Sequence, residues 1–270
     1  MSIDLNALRA KLNELSNKSK VSDILWKPQE GANQIRIVPL ANNPENPFIE
    51  AFFHYLGGKT YLSPLTFNEP DPIEEFAQKL RGDGGLTKEE WNETKKFVPK
   101  MRTYAAVVVR GKESDGIRYW GFGKTTYQEL LSVIADPEYG DITDSMNGRD
   151  VKVTFTPKEK SDTGFPKTTI RVSPKQTPIT TNKELLDKLL TVQPDLLDAY
   201  PKMSYDELKS VLERFLTPTT KQEVAKSNVK EEEDWDTPQV ESPTAASSKK
   251  TEQKKSSVAV DEFDELFNKE

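Results

Sequence analysis

Between residues 97 and 124 the chain interleaves cations with aromatic rings: Phe97, Lys100, Arg102, Tyr104, Arg110, Lys112, Arg118, Tyr119, Trp120, Phe122 and Lys124. Cations at this density neutralise backbone phosphates, and exposed rings between them offer stacking faces worth about 1–3 kcal/mol per base. The pattern implies binding of single-stranded nucleic acid with little regard to sequence. Strand parity sorts the residues further. Arg102, Tyr104, Ala106 and Val108 share one face of a strand running from Thr103 to Arg110. In Ile117 to Phe122, Arg118, Trp120 and Phe122 share a face and Tyr119 lies opposite. An Arg-Trp-Phe face is odd for a core and suits a stacking platform, although parity alone does not say which face looks outward. Phe165, on the loop tip 161–166 between Lys160 and Lys167, is a second ring that gains little unless it meets a ligand. Lys152, Lys158 and Arg171 would extend the phosphate track.

Catalytic chemistry finds little support. Gly121-Phe122-Gly123-Lys124-Thr125-Thr126 resembles a phosphate-binding loop, but the required glycine five places before Gly123 is Arg118. A helix start after that turn could still hold one backbone phosphate, with Lys124 as a point charge. The acidic group Glu69, Asp71, Glu74 and Glu75 reads as a helix start rather than a two-metal centre. There are no cysteines and one histidine, His54, so disulfides, thiolate zinc sites and two-histidine metal sites are excluded. The expectation is a binding protein, not an enzyme.

The elements that must position these residues follow from periodicity. Leu5, Leu8, Leu12 and Leu15 give a helical arm over 1–20 that ends in Lys18, Ser19 and Lys20. Strands are predicted at Gln34 to Leu40, at Phe48 to Tyr55 and Lys59 to Leu65 with a turn at Gly57-Gly58, and at 103–110, 117–122, 151–156 and 167–173. Helices are predicted near 72–80, 87–97, 126–135, 182–190 and 204–215. Many short strands with interposed helices imply a mainly β, α+β fold. The expected form is a core like the oligonucleotide-binding barrel, with a helical subdomain, an N-terminal helical arm and a disordered acidic tail.

The formal net charge of −6 looks hostile to a polyanion. Residues 221–270 hold 13 acidic and 8 basic groups, so nearly all of that excess sits at one end. It is the local field that a polyanion meets. Residues 218–260 are rich in Ser, Thr, Pro, Lys and Glu and read as a disordered linker. The end differs: in 261–270, five acids surround Phe263, Leu266 and Phe267, spaced i, i+3 and i+4 so that one helical face carries all three. That is the pattern of a partner-docking peptide on a tether. No apolar run approaches the roughly 18 residues of a membrane span, and Met1-Ser2-Ile3-Asp4 lacks the layout of a signal peptide, so an intracellular protein without a membrane partner is expected.

Taken in order, these motifs resemble the single-stranded DNA-binding replication proteins of T-even-type bacteriophages. The resemblance rests on Asn17-Lys18-Ser19-Lys20, the strand Gln34 to Leu40, Phe53-His54 before a Gly-Lys hairpin, and Lys100-Met101-Arg102-Thr103-Tyr104-Ala105. Tyr119-Trp120-Gly121-Phe122-Gly123-Lys124 and the acidic-aromatic end from Asp261 complete it. It implies a DNA-binding core over 21–217, with Tyr104 and Trp120 at aromatic positions of the cleft and Phe165 as a loop aromatic. It also implies cooperative self-association through the arm, and recruitment of replication and recombination proteins by the tail. The family's best-known members hold zinc through one histidine and three cysteines. Here His54 stands at the histidine position, but the expected Cys-x-x-Cys is Asp71-Pro72-Ile73-Glu74. The implied zinc is therefore expected to be lost and replaced by packing of Ile73, Phe76 and Leu80, with His54, Asp71 and Glu74 as the alternative donor set. An RNA-binding module of the same barrel class and a tethered protein adaptor are the competing readings.

Overall fold

The computed structural model describes residues 23–82 and 87–217, together with Phe263, Leu266 and Phe267. The arm with Lys18, Ser19 and Lys20, and the linker 218–260, lie outside the described residues. Among the described residues, eight strands form one mixed sheet, accompanied by five α-helices, so the α+β class holds. The described chain divides into two compact units, one of residues 23–50 and 101–201, the other of residues 51–100 and 202–217 with the three C-terminal residues. No helix among the described residues is long and apolar enough to cross a membrane.

The first unit is built on β1 (Leu25–Trp26), β2 (Gly31–Ile37), β5 (Lys100–Val109), β6 (Arg118–Phe122), β7 (Arg149–Thr156) and β8 (Lys167–Gln176), in the spatial order β1-β6-β5-β2-β7-β8. β1 and β6 run parallel, pairing Leu25 with Tyr119 and Trp26 with Trp120. One face of the sheet carries Ile35, Ile37, Ala105, Val107, Trp120, Phe122, Val151 and Val153 into the core. The helix α3 (Lys124–Ala135) closes that face with Leu130, and Phe48 packs edge-on to Phe122 at 6.2 Å. The other face is covered too: β5 is buried at every position from Thr103 to Val108. The segment 177–199, including α4 (Lys183–Thr191), brings Ile179 and Leu196 into full burial and ties back through Tyr119 Oη, which donates to the Pro194 carbonyl at 2.7 Å. A strand shielded on both sides loses the in–out alternation that reveals one covered face.

In the second unit, β3 (Phe48–Leu56) and β4 (Lys59–Leu62) form a hairpin, with Phe53 opposite Leu62 and Leu56 opposite Lys59. Gly57 and Gly58 both take positive φ, 59° and 73°, as a two-residue primed turn demands. The helix α1 (Pro72–Gly82) starts with proline in its first turn, and α2 (Lys88–Thr94) opens on a reciprocal Thr87/Glu90 capping box. The helix α5 (Tyr205–Leu216) opens on the equivalent Ser204/Glu207 box. Ile73, Phe76 and Ala77 of α1 meet Phe97 and Leu208, Leu212 and Leu216 of α5 in a second apolar core, with Leu80 packed against it.

Candidate nucleic-acid interface

Of the aromatic candidates, β5 and β6 turn most inward. Trp120 is 1 % exposed and Phe122 5 %, their rings 4.6 Å apart, so the Arg-Trp-Phe face is a core face and not an open platform. Their partners explain the choice, because Ala105 and Val107 lie beside them and α3 covers the group. Tyr119 and Tyr104 belong to the opposite face and are buried there. Burial and the nearby Asp195 carboxylate push the Tyr119 phenol up to about 12, so it stays a neutral donor to Pro194. Tyr104 lies against its cross-strand neighbour Gly121: a β-carbon there would come within 2.7 Å of Tyr104 Cε1. Phe97 is a core residue of the second unit.

Arg110 corrects the sequence reading most sharply. Its guanidinium grips Asp150 Oδ1 through Nη2 at 2.6 Å and Nε at 3.0 Å, and also donates to the carbonyls of Pro178 and Ile179. Arg36, fully buried, reaches the same Oδ1 through Nε at 3.0 Å and donates to the Thr177 carbonyl at 2.6 Å. Gln34 satisfies Asp150 Oδ2 at 2.8 Å. Burial alone would raise the Asp150 carboxyl; hydrogen bonding and charge from Arg110, then Arg36 and Gln34, outweigh it and hold the group below its usual range. Arg110 is thus spent on joining β2, β5 and β7 to the covering segment. Sequence reasoning missed Arg36 and Asp150, although an arginine between Ile35 and Ile37 was the signal that a buried counter-charge had to exist.

Arg118, Lys152 and Arg171 lie on strands of the first unit. Arg118 and Lys112 line a cleft of about 450 Å³ together with Lys27, Trp26, Gln29 and Gln34. Gln34 sits directly across from Lys152 on β7, and Lys152 across from Arg171 on β8. Lys152 and Arg171 are both exposed, and among the described residues neither they nor Arg118 has an ion-pair partner. The half-buried Trp26 lines the cleft and meets Trp120 edge-on, centroids 6.1 Å apart. Phe165 stands 46 % exposed on the β7–β8 loop. Lys160 nearby is paired with Glu30. Lys124 is exposed at the first position of α3, and Arg102 is half-buried at the start of β5. Lys100 is exposed in the second unit with its ammonium 5.7 Å from the Tyr55 ring. Trp91, also in the second unit, is 44 % exposed with the Arg81 guanidinium 4.7 Å over its ring; sequence reasoning had passed it over.

His54 Nε2 and Asp71 Oδ2 pair at 2.8 Å in full burial, and Ser63 Oγ donates to that same oxygen. Asp71 Oδ1 caps α1 by accepting from the backbone N–H groups of Ile73 and Glu74 at 2.9 and 3.1 Å. Burial opposes ionisation of Asp71, but the bonds from His54, Ser63 and Glu74 N–H prevail and hold its carboxyl below the ordinary range. Among the described residues no three His, Asp or Glu side chains converge as a metal site. Among the described residues, His54 Nδ1 and Glu74 Oε2 are buried without a hydrogen-bond partner.

Comparison with curated proteins found no match. The family model described as "gp32 DNA binding protein like" matches residues 29–217, which take in nearly all of both described units. Because that model covers well over half of the sequence, this chain belongs to the gp32-like DNA-binding proteins.

Proposed function

We propose that the protein binds single-stranded DNA without sequence preference, and that it does so cooperatively in the replication, recombination and repair of phage DNA. The observation that carries this reading is the pair of exposed cations Lys152 and Arg171, side by side on β7 and β8 of a unit that falls inside the matched DNA-binding family, with Arg118 in the cleft on β6. Lys152, Arg171 and Arg118 supply phosphate contacts, while Trp26 in the cleft and Phe165 on the loop supply stacking faces. Trp120 acts through Trp26 as a positioning residue. The arm, through Lys18, Ser19 and Lys20, contacts the neighbouring molecule on the strand, and the Phe263/Leu266/Phe267 motif recruits replication and recombination proteins. The protein performs no catalysis and needs no metal, the His54–Asp71 pair and the packing of Ile73, Phe76 and Leu80 serving where relatives of the resembled family use zinc.

The test is a titration with a fluorescent oligo(dT) at two salt concentrations. Affinity should fall steeply as salt rises, and an RNA of matched length should compete poorly. Absence of salt-dependent binding would overturn the reading in favour of a protein adaptor. Equal or better competition by RNA would move it to an RNA-binding module.

A further inference from the structure

The acidic-aromatic end of the chain is seated in its own helical unit. Phe263, Leu266 and Phe267 are helical, and Phe263 is only 2 % exposed, within the apolar cluster of Ile73, Phe76, Leu208 and Leu212. Its ring meets Phe76 edge-on at 6.3 Å and Phe267 at 5.0 Å. Phe267 in turn packs against Tyr205 at 6.3 Å, and Tyr205 is fixed by donating its hydroxyl to Glu75 Oε2 at 2.6 Å. Lys209 serves this end twice: its ammonium lies 5.0 Å from the Phe267 ring and donates to the Phe267 carbonyl at 3.1 Å. A cation at the carbonyl end of a helical turn matches both the free acceptor and the local dipole. Apolar burial, ring geometry and a polar anchor thus converge on a single peptide.

We infer that α1 and α5 form a receptor slot for a Phe-x-x-Leu-Phe helix, whose occupant is this chain's own C-terminal motif, so that the motif is withheld from partners until it leaves the slot. A tether of the length of residues 218–262 holds the motif at an effective concentration of order millimolar, enough to outcompete a free micromolar peptide. The three side chains that would dock on a partner are the three the slot holds, so slot and partner exclude one another. A partner therefore binds with an affinity reduced by the fraction of released motif. This inference rests on the proposed reading of the motif as a partner-docking peptide and is independent of DNA binding.

The test uses a fluorescein-labelled peptide of residues 258–270 and the full chain, without DNA. The Phe263→Ala/Phe267→Ala chain, whose slot is vacated, should take up the peptide at least about tenfold more tightly than the unmodified chain. Adding Lys209→Glu to it should weaken uptake, and a peptide carrying both alanines should not bind. Equal uptake by the two chains, or none by the vacated one, overturns the inference. A second measurement needs no vacated chain. Native-state hydrogen exchange should find the 263–267 amides protected in the unmodified protein and less so with Lys209→Glu; unprotected amides overturn it. A concentration-dependent dimer that the double substitution dissolves would place the motif on a second copy and overturn the assignment to the same chain.

Discussion

Arg110 holds Asp150 from two nitrogens, at 2.6 and 3.0 Å on one carboxylate oxygen, and so takes out of the binding surface a cation that the sequence had offered to it. Because Arg36 shares that oxygen, one carboxylate balances two guanidinium groups. Replacing Asp150 with Ala leaves the buried Arg36 without its carboxylate and Arg110 with only Glu113, 3.8 Å away, and should cost about 3–5 kcal/mol, measured by urea unfolding at neutral pH. The pH dependence has a definite sign. The folded-state carboxyl is held below its unfolded value, so its contribution is complete above the unfolded value near 4 and fades as pH falls through the folded one. Unfolding curves between pH 7 and pH 3 should show this loss in the unmodified protein and a shallower one in Asp150→Ala.

Lys152, Arg171 and Arg118 should behave in the opposite way. Each alanine substitution should leave the melting temperature nearly unchanged, since exposed or half-exposed cations without partners contribute little to stability. Each should weaken oligo(dT) binding and reduce the slope of log affinity against log salt by about 0.7, the value for one lost phosphate contact on a single strand. Arg110→Ala should lose stability before it loses slope. An unchanged slope in all three would remove them from the phosphate track.

Trp120 and Phe165 separate packing from contact. Trp120→Ala empties a 1 %-exposed site in the core and should cost about 3–5 kcal/mol of stability. Phe165→Ala should leave stability unchanged and weaken oligo(dT) binding by about 1–3 kcal/mol, the contribution of one stacked base. Thermal unfolding and titration, run on both variants, give the comparison.

Gly121 is the place where a single methyl group should matter. It would collide with the Tyr104 ring, and because β5 is buried on both faces the ring has little room to retreat. Gly121→Ala should destabilise by about 1–3 kcal/mol through overpacking. Combining it with Tyr104→Ala should restore part of that loss, a coupling that a double-mutant cycle measures.

These contrasts show what was legible in the chain. Strand and helix positions followed from local signals: the Gly57-Gly58 turn, and helical periodicity near 72–80 and 204–215. The α+β class followed from their order. The burial of β6 did not, because a period of two defines two faces without saying what covers either. The covering groups come from α3 and from residues 177–199, and the counter-charge for Arg110 is forty residues away in Asp150. The aromatic end was legible as an amphipathic helix, but its receptor was not, since Phe76 and Leu208 become neighbours only in the folded unit.

The second unit has a discontinuous make-up: α1 and α2 come from residues 51–100, and α5 from residues beyond 201. During synthesis the apolar side of α1, with Ile73 and Phe76, leaves the ribosome well before Leu208 and Leu212 exist to cover it. At about 5–20 residues per second that interval lasts on the order of 5–30 s. Through it the nascent chain carries an uncovered greasy surface, and the arrival of α5 ends that exposure.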